Sequence, residues 1–199
     1  MDDYREILTF WFGHGNSNLE VLNEKLSLWW NKDPAMDEEI KSRFESRLLS
    51  LENGELDTWQ TEPQGRLAMI LLTDQFSRNI YRDTPMAFAF DALAVNLVHD
   101  GIHQAIDKKL RLVEQTFFNM PLMHSESMAD QDLSILQFQA IVDCAHDEEK
   151  ERLRDNLNYA VAHRDIIQRF GRYPHRNEIL GRESTPEEIE FLKQPGSSF

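Results

Sequence analysis

Apolar residues recur every three or four positions along most of the chain, the spacing that gathers them on one face of an α-helix. Ile7, Leu8, Trp11 and Phe12 form the first such set, preceded by Asp2 and Asp3 and stopped at Gly13. A polar loop follows, then a second helix expected over 21–30. Asp33-Pro34 reads as an N-cap followed by proline at the first helical position. The helix it opens carries Ile40, Phe44, Leu48 and Leu51 and ends at Asn53-Gly54. A fourth helix is expected over 64–79. Thr84-Pro85 opens a fifth, through Phe88, Ala92, Val95 and Val98 to about Gly101. A sixth should cover 108–119 and stop before Pro121; a seventh, 129–145; an eighth, 150–170, closed by Gly171. Thr185-Pro186-Glu187-Glu188 is a capping box for a last short helix.

No run of alternating β-branched residues bounded by turns is present. Loops are short and no Pro/Gly/Ser linker divides the chain. The expectation is one all-α domain over 1–194, built of antiparallel helical hairpins with about nine helices, and a flexible tail at 195–199.

Polar positions that break the pattern carry the candidate chemistry. Residues 163–182 read HRDIIQRFGRYPHRNEILGR, with five arginines, two histidines and no lysine, in a chain of net charge −14. Arginine without lysine suggests planar, bidentate bonding to carboxylate or phosphate rather than a solubilising surface. On a helical wheel, His163 and Arg164 fall inside the apolar arc of the eighth helix, while Asp165 and Arg169 lie outside it. On the fourth helix, Asp74 and Arg78 fall among Leu67, Ile70, Leu71 and Tyr81, spaced to pair along the helix. Unpaired burial of such groups costs several kcal/mol per ion, roughly, so each should meet a partner.

An internal echo supports a two-part site. Residues 78–85 read RNIYRDTP and residues 176–186 read RNEILGRESTP. Both give Arg-Asn, a short apolar step, a second Arg, then Thr-Pro. Segments 74–85 and 163–182 together hold seven arginines against four acids. A bound anion, or acids from elsewhere in the chain, must balance whatever is buried.

These motifs resemble a mainly bacterial family, domain of unknown function nine-two-four. The resemblance rests on ILTFWFG (7–13), WWNKDPAMDEEIKSRF (29–44), LLTDQFSRNIYRDTPMAFAFD (71–91), FFNMPLMHSES (117–127) and HRDIIQRFGRYPHRNEILGRESTPEE (163–188). It implies a helical fold similar to tetratricopeptide-like right-handed superhelices, and no established reaction. Ser77 and Asp83 stand where family members typically carry Pro and Gly. Independently of the resemblance, no regular 34-residue repeat is visible.

Composition narrows the function classes. The acidic excess argues against nonspecific binding to nucleic acid or anionic membranes. The acidic N-terminus is wrong for a signal peptide, and no apolar run reaches the ~18 residues of a spanning helix. A cytoplasmic protein is expected. The single Cys144 lies in an apolar-periodic stretch and reads as a buried, inert thiol. Trp11, Phe12, Trp29 and Trp30 read as core rather than a stacking platform.

His124, Glu126, His163, Asp165, His175 and Asp74 are metal-ligating residue types, but no pair has a metal-site spacing such as HExxH, and nearby arginines would repel a cation. No metal or other cofactor is expected. Ser125 beside His124 or His163 lacks a nucleophile elbow; Ser125 or Ser127 instead suits the cap of the following helix. Glycine motifs for nucleotides are absent. The leading expectation is a binding module. Its ligand set is Asp74, Arg78, Asn79, His124, Glu126, Arg164, Asp165, Arg169, Arg172, Arg176 and Asn177, around an anionic small molecule or an acidic peptide end. The alternative is a hydrolase of a phosphorylated or carboxylated substrate with His163 or His175 as acid–base group. A purely structural ion-pair network is the third reading. A homodimer would suit the plentiful Phe and Trp, though nothing localises its face.

Overall fold

The computed structural model describes residues 4–198. Asp2 and Asp3, expected to open the first helix, lie outside them, as does Phe199. Among the described residues every regular element is helical. They are α1 (Arg5–Phe12), α2 (Asn18–Trp30), α3 (Pro34–Glu52), α4 (Pro63–Ile70), α5 (Ser77–Ile80), α6 (Asp91–His103), α7 (Leu112–His124), α8 (Met128–Cys144), α9 (Asp147–Phe170) and α10 (Pro186–Phe191).

The local signals act where they were expected. Asp33 caps α3 through its side chain, with Pro34 at the first helical position. Gly171 closes α9 in the left-handed conformation that glycine adopts without steric cost. Thr185 and Glu188 form the capping box of α10, and Ser127 caps α8. Asp83 has positive φ, so the turn at that position is made with an aspartate.

Two features depart from the periodic pattern. Between α4 and α5 the helix does not run as regular α: Leu71–Phe76 is a π-helical segment, one residue wider per turn. Such a segment leaves carbonyls poorly paired, and side chains take them up. Thr73 Oγ1 donates to Met69 O, Ser77 Oγ to Thr73 O, and Arg78 Nη1 to Asp74 O. Pro121, expected to lie beyond a helix end, lies inside α7. There α7 is buried from Val113 to Met123 and packs against α2, α4, α6, α8 and α9. Tertiary packing on all sides offsets the ladder bond that proline removes.

The main core gathers Ile7, Trp11, Phe12, Phe44, Phe76, Phe117 and Phe118 around α7. Consecutive helices α7, α8 and α9 pack pairwise. Arg66, fully inside, donates to Gln60 O and Leu97 O and so ties α4 to α6. Beyond α10, Ser197 is buried and donates to Leu192 O. Cys144 is exposed, not buried as its neighbours suggested. It is the last residue of α8, where the helix leaves the core. Trp11 and Phe12 are core, but Trp30 is about half exposed at 53% and faces a cavity.

Candidate functional site

The π segment places Asp74 at the bottom of a polar cluster. Its side chain is 1% exposed. Arg78, one helical turn on, pairs with Asp74 Oδ1 at 3.2 Å and with Asp91 Oδ1 at 2.9 Å. Arg176, from the loop after α9, reaches the other oxygen of Asp91 at 3.4 Å. The four form a chain of alternating sign: Asp74, Arg78, Asp91, Arg176. Their formal charges cancel.

His124, the last residue of α7, lies against Asp74, with Nδ1 2.7 Å from Oδ1. Gln75 Nε2 donates to the other oxygen at 2.6 Å. Burial pushes the Asp74 carboxyl up, but Arg78 and His124 outweigh it and hold it far below the carboxylate range. Burial raises Asp91, which Arg78 pulls back only in part because Asp74 is near. Burial lowers the Arg78 guanidinium, and the two aspartates more than restore it.

Two further imidazoles flank the cluster. His163, on α9, has Nδ1 2.7 Å from Tyr159 O, so Nδ1 carries the proton and donates. Burial, then His124, depress its pKa to about 3. Burial, then Arg176, depress His175 to about 4. Both are neutral at pH 7 and poor proton acceptors there. The rings of His124, His163, Tyr173 and His175 follow one another in tilted and edge-on contacts, with centroids 6.2, 5.6 and 5.4 Å apart.

This cluster borders a cavity of about 930 Å³. Arg78, His124, His163, His175 and Arg176 line it, with Leu22, Leu26, Trp29 and Trp30 from α2, Phe117 and Met120 from α7, and the charged Lys32, Arg82, Asp83, Arg152 and Asp155. A second cavity of about 480 Å³, lined by Asp91, Ser125, Glu126 and Asp130, shares Phe88, His124 and Arg176 with the first. Arg176 is stacked between Phe88 and Tyr173, at 4.7 and 4.5 Å from the ring centroids. Its side chain is 8% exposed, and its Nε has no hydrogen-bond partner among the described residues.

A model of the family described as "Bacterial protein of unknown function (DUF924)" matches residues 7–196. The chain belongs to this family. A structure of a protein of unknown function, ATU0120 from Agrobacterium tumefaciens, is 33% identical, covers 96% of each chain and superposes with a TM-score of 0.80. No curated protein matches. The motifs that mark the DUF924 resemblance therefore sit in a shared all-helical fold.

Of the residues singled out in the sequence, the DUF924 fold gathers Asp74, Arg78, His124, His163, His175 and Arg176. It separates the rest. Arg164 does not point inward: its guanidinium donates across to Asp132 on α8 at 2.6 Å and along its own helix to Gln168 at 2.9 Å. Asp165 is exposed. Arg169 pairs with Glu187 and Arg172 holds Glu188 with two bonds, both tying α10 to the end of α9. Asn79 bonds Asp37, and the buried Asn177 bonds Ser184. Glu126 accepts two bonds from Arg182 and one from Tyr173 N; it lines only the smaller cavity.

The echo has a structural meaning. The first arginine of each copy, Arg78 or Arg176, goes to Asp91. The second, Arg82 or Arg182, forks onto an acid at the start of another helix, Asp37 for α3 and Glu126 for α8. The sequence pattern does not single out Asp91: it runs one helix from Thr84-Pro85 to about Gly101, whereas Pro85–Phe88 is a separate turn and α6 begins at Asp91 itself.

Among the described residues no helix is long and apolar enough to cross a membrane. Nor do three or more His, Cys, Asp or Glu side chains converge as metal ligands among them.

Proposed function

We propose that the chain binds a small molecule with an apolar body and a single anionic end, a monocarboxylate, in the larger cavity. The observation that carries this reading is that aromatic and aliphatic side chains and the buried Arg176 line one cavity. A volume near 930 Å³ is that of a small-molecule site. Arg176 is the anchor: it is buried, stacked between two rings, held by only one long contact to Asp91, and has a donor to spare. The half-buried Asp91 carboxylate beside it disfavours a dianion such as phosphate.

The remaining arginines are read as structural. Arg82, Arg164, Arg169, Arg172 and Arg182 each have a protein carboxylate. By the same measure Arg78 is committed to Asp74 and Asp91, which leaves Arg176, held by one long contact, for the ligand.

Calorimetric titration with short- to medium-chain carboxylates and the matching alcohols tests the reading. The acid should bind more tightly than the alcohol of equal length. Each added methylene should gain roughly fourfold, from about 0.8 kcal/mol per buried CH₂, until the cavity is full. Arg176→Met should abolish the preference for the acid. Equal affinity for acid and alcohol, or none for either, would overturn the proposal.

A further inference from the structure

Asp74 and His124 have the geometry of a proton-transfer dyad at the wall of this cavity. A buried carboxylate 2.7 Å from imidazole Nδ1 fixes the tautomer, with the proton on Nδ1. The lone pair is then on Nε2, on the side of the ring away from Asp74. His124 lines both cavities. Asp74 is in turn fixed by Arg78 and Gln75, so it holds the ring without taking its proton. A cation formed at His124 would sit at the C-terminal end of α7, where the helix dipole favours positive charge. The carboxylate comes from the π segment, a local irregularity that recurs at functional sites in helical proteins.

We infer that Asp74 and His124 make the cavity a hydrolase site for carboxylic esters whose acyl part is the apolar monocarboxylate proposed above. The inference rests on that binding proposal. His124 is the catalytic residue and Asp74 the positioning residue. Thr116 is committed to Leu112 O and Ser125 to Asp130, and water is taken as the nucleophile. His124 Nε2 takes a proton from water as the water oxygen bonds to the acyl carbon. The carbonyl electron pair moves to its oxygen, held by Arg176. On collapse that pair re-forms the carbonyl, the alkoxy carbon–oxygen bond breaks, and the imidazolium returns its proton to the leaving alcohol. One ester and one water become one acid, which ionises on Arg176, and one alcohol. His163 and His175, neutral beside this centre, are hydrogen-bonding walls rather than bases.

The test uses the full chain and nitrophenyl esters of the acid that binds best. The wild type should release nitrophenolate above the buffer rate, and more slowly in heavy water because a proton moves in the rate-limiting step. His124→Gln should lose roughly 10²-fold or more in kcat while still binding the product acid. Asp74→Asn should lower kcat with KM unchanged, since a wrong tautomer impairs chemistry and not binding. Acid binding without any ester turnover, or wild-type turnover by a folded His124→Gln, overturns the hydrolase inference alone. Absence of acid binding overturns the earlier proposal instead. Should either variant fail to fold, the wild-type turnover and its isotope effect still decide.

Discussion

Arg78 and Arg176 hold opposite oxygens of one carboxylate, that of Asp91, at 2.9 and 3.4 Å. Asp91 thus joins the start of α6 to the end of the fourth-helix motif and to the loop after α9. Replacing it by asparagine leaves two largely buried guanidinium groups facing each other. Asp91→Asn should cost about 3–5 kcal/mol, the loss typical when one partner of a buried pair is removed. Urea denaturation measures this. A cost below about 1 kcal/mol would mean that Asp91 is not the keystone of the cluster.

The buried histidines make stability depend on pH. His163 and His175 have folded pKa values of about 3 and about 4, below the ordinary 6.5. The unfolded chain therefore binds more protons between those values. Their contribution is fully present above pH 6.5 and is lost as the pH falls towards the folded values. Each should cost up to ~1.4 kcal/mol per pH unit in that window. Melting curves from pH 7 to 5 should show this slope, and His163→Gln should flatten it. An equal slope in that variant would place His163 elsewhere.

Ser77 donates a 2.6 Å bond to Thr73 O, inside the π segment. Ser77→Ala leaves that carbonyl without its donor in a dry environment. The expected loss is about 1–3 kcal/mol, read from chemical denaturation. Because Asp74 lies in the same turn, amide exchange at 71–78 should quicken more than at α8. Uniformly faster exchange would indicate that the hydroxyl stabilises the fold as a whole and not this turn.

Gly65 marks a close approach. A Cβ there would lie 2.5 Å from the Trp59 carbonyl oxygen, a backbone atom that cannot swing aside. Gly65→Ala should destabilise by roughly 1–3 kcal/mol through overpacking. An unchanged melting temperature would show that the 57–61 turn can shift away from α4.

Local chemistry was readable in the sequence, and packing was not. Asp33-Pro34, Gly171 and the Thr185–Glu188 box act within one turn of themselves, so the pattern places them. Pro121 inside α7 needed knowledge that α7 is surrounded by other helices. The wheel assumes regular α geometry throughout, so it could not reveal the extra residue of Leu71–Phe76. Arg164 was assigned inward from its Cα direction, but its long stem carries the charge outward to Asp132. Of the two-part site suggested by the repeated Arg-Asn motif, the first arginines do meet. The acid they share, Asp91, is visible only in three dimensions.

The π segment has a consequence for how changes in chain length are tolerated. It is a helix carrying one residue more than regular α geometry takes. Deleting any one residue of 71–76 would leave an uninterrupted α-helix and an intact hydrogen-bond ladder. A π turn takes nearly one residue more than an α turn, so the deletion would leave the direction of all that follows nearly unchanged relative to α4. Arg78 would still face Asp91, and the wide turn that carries Asp74 would be gone. The segment is thus the place where this helix can lose a residue without turning its neighbours.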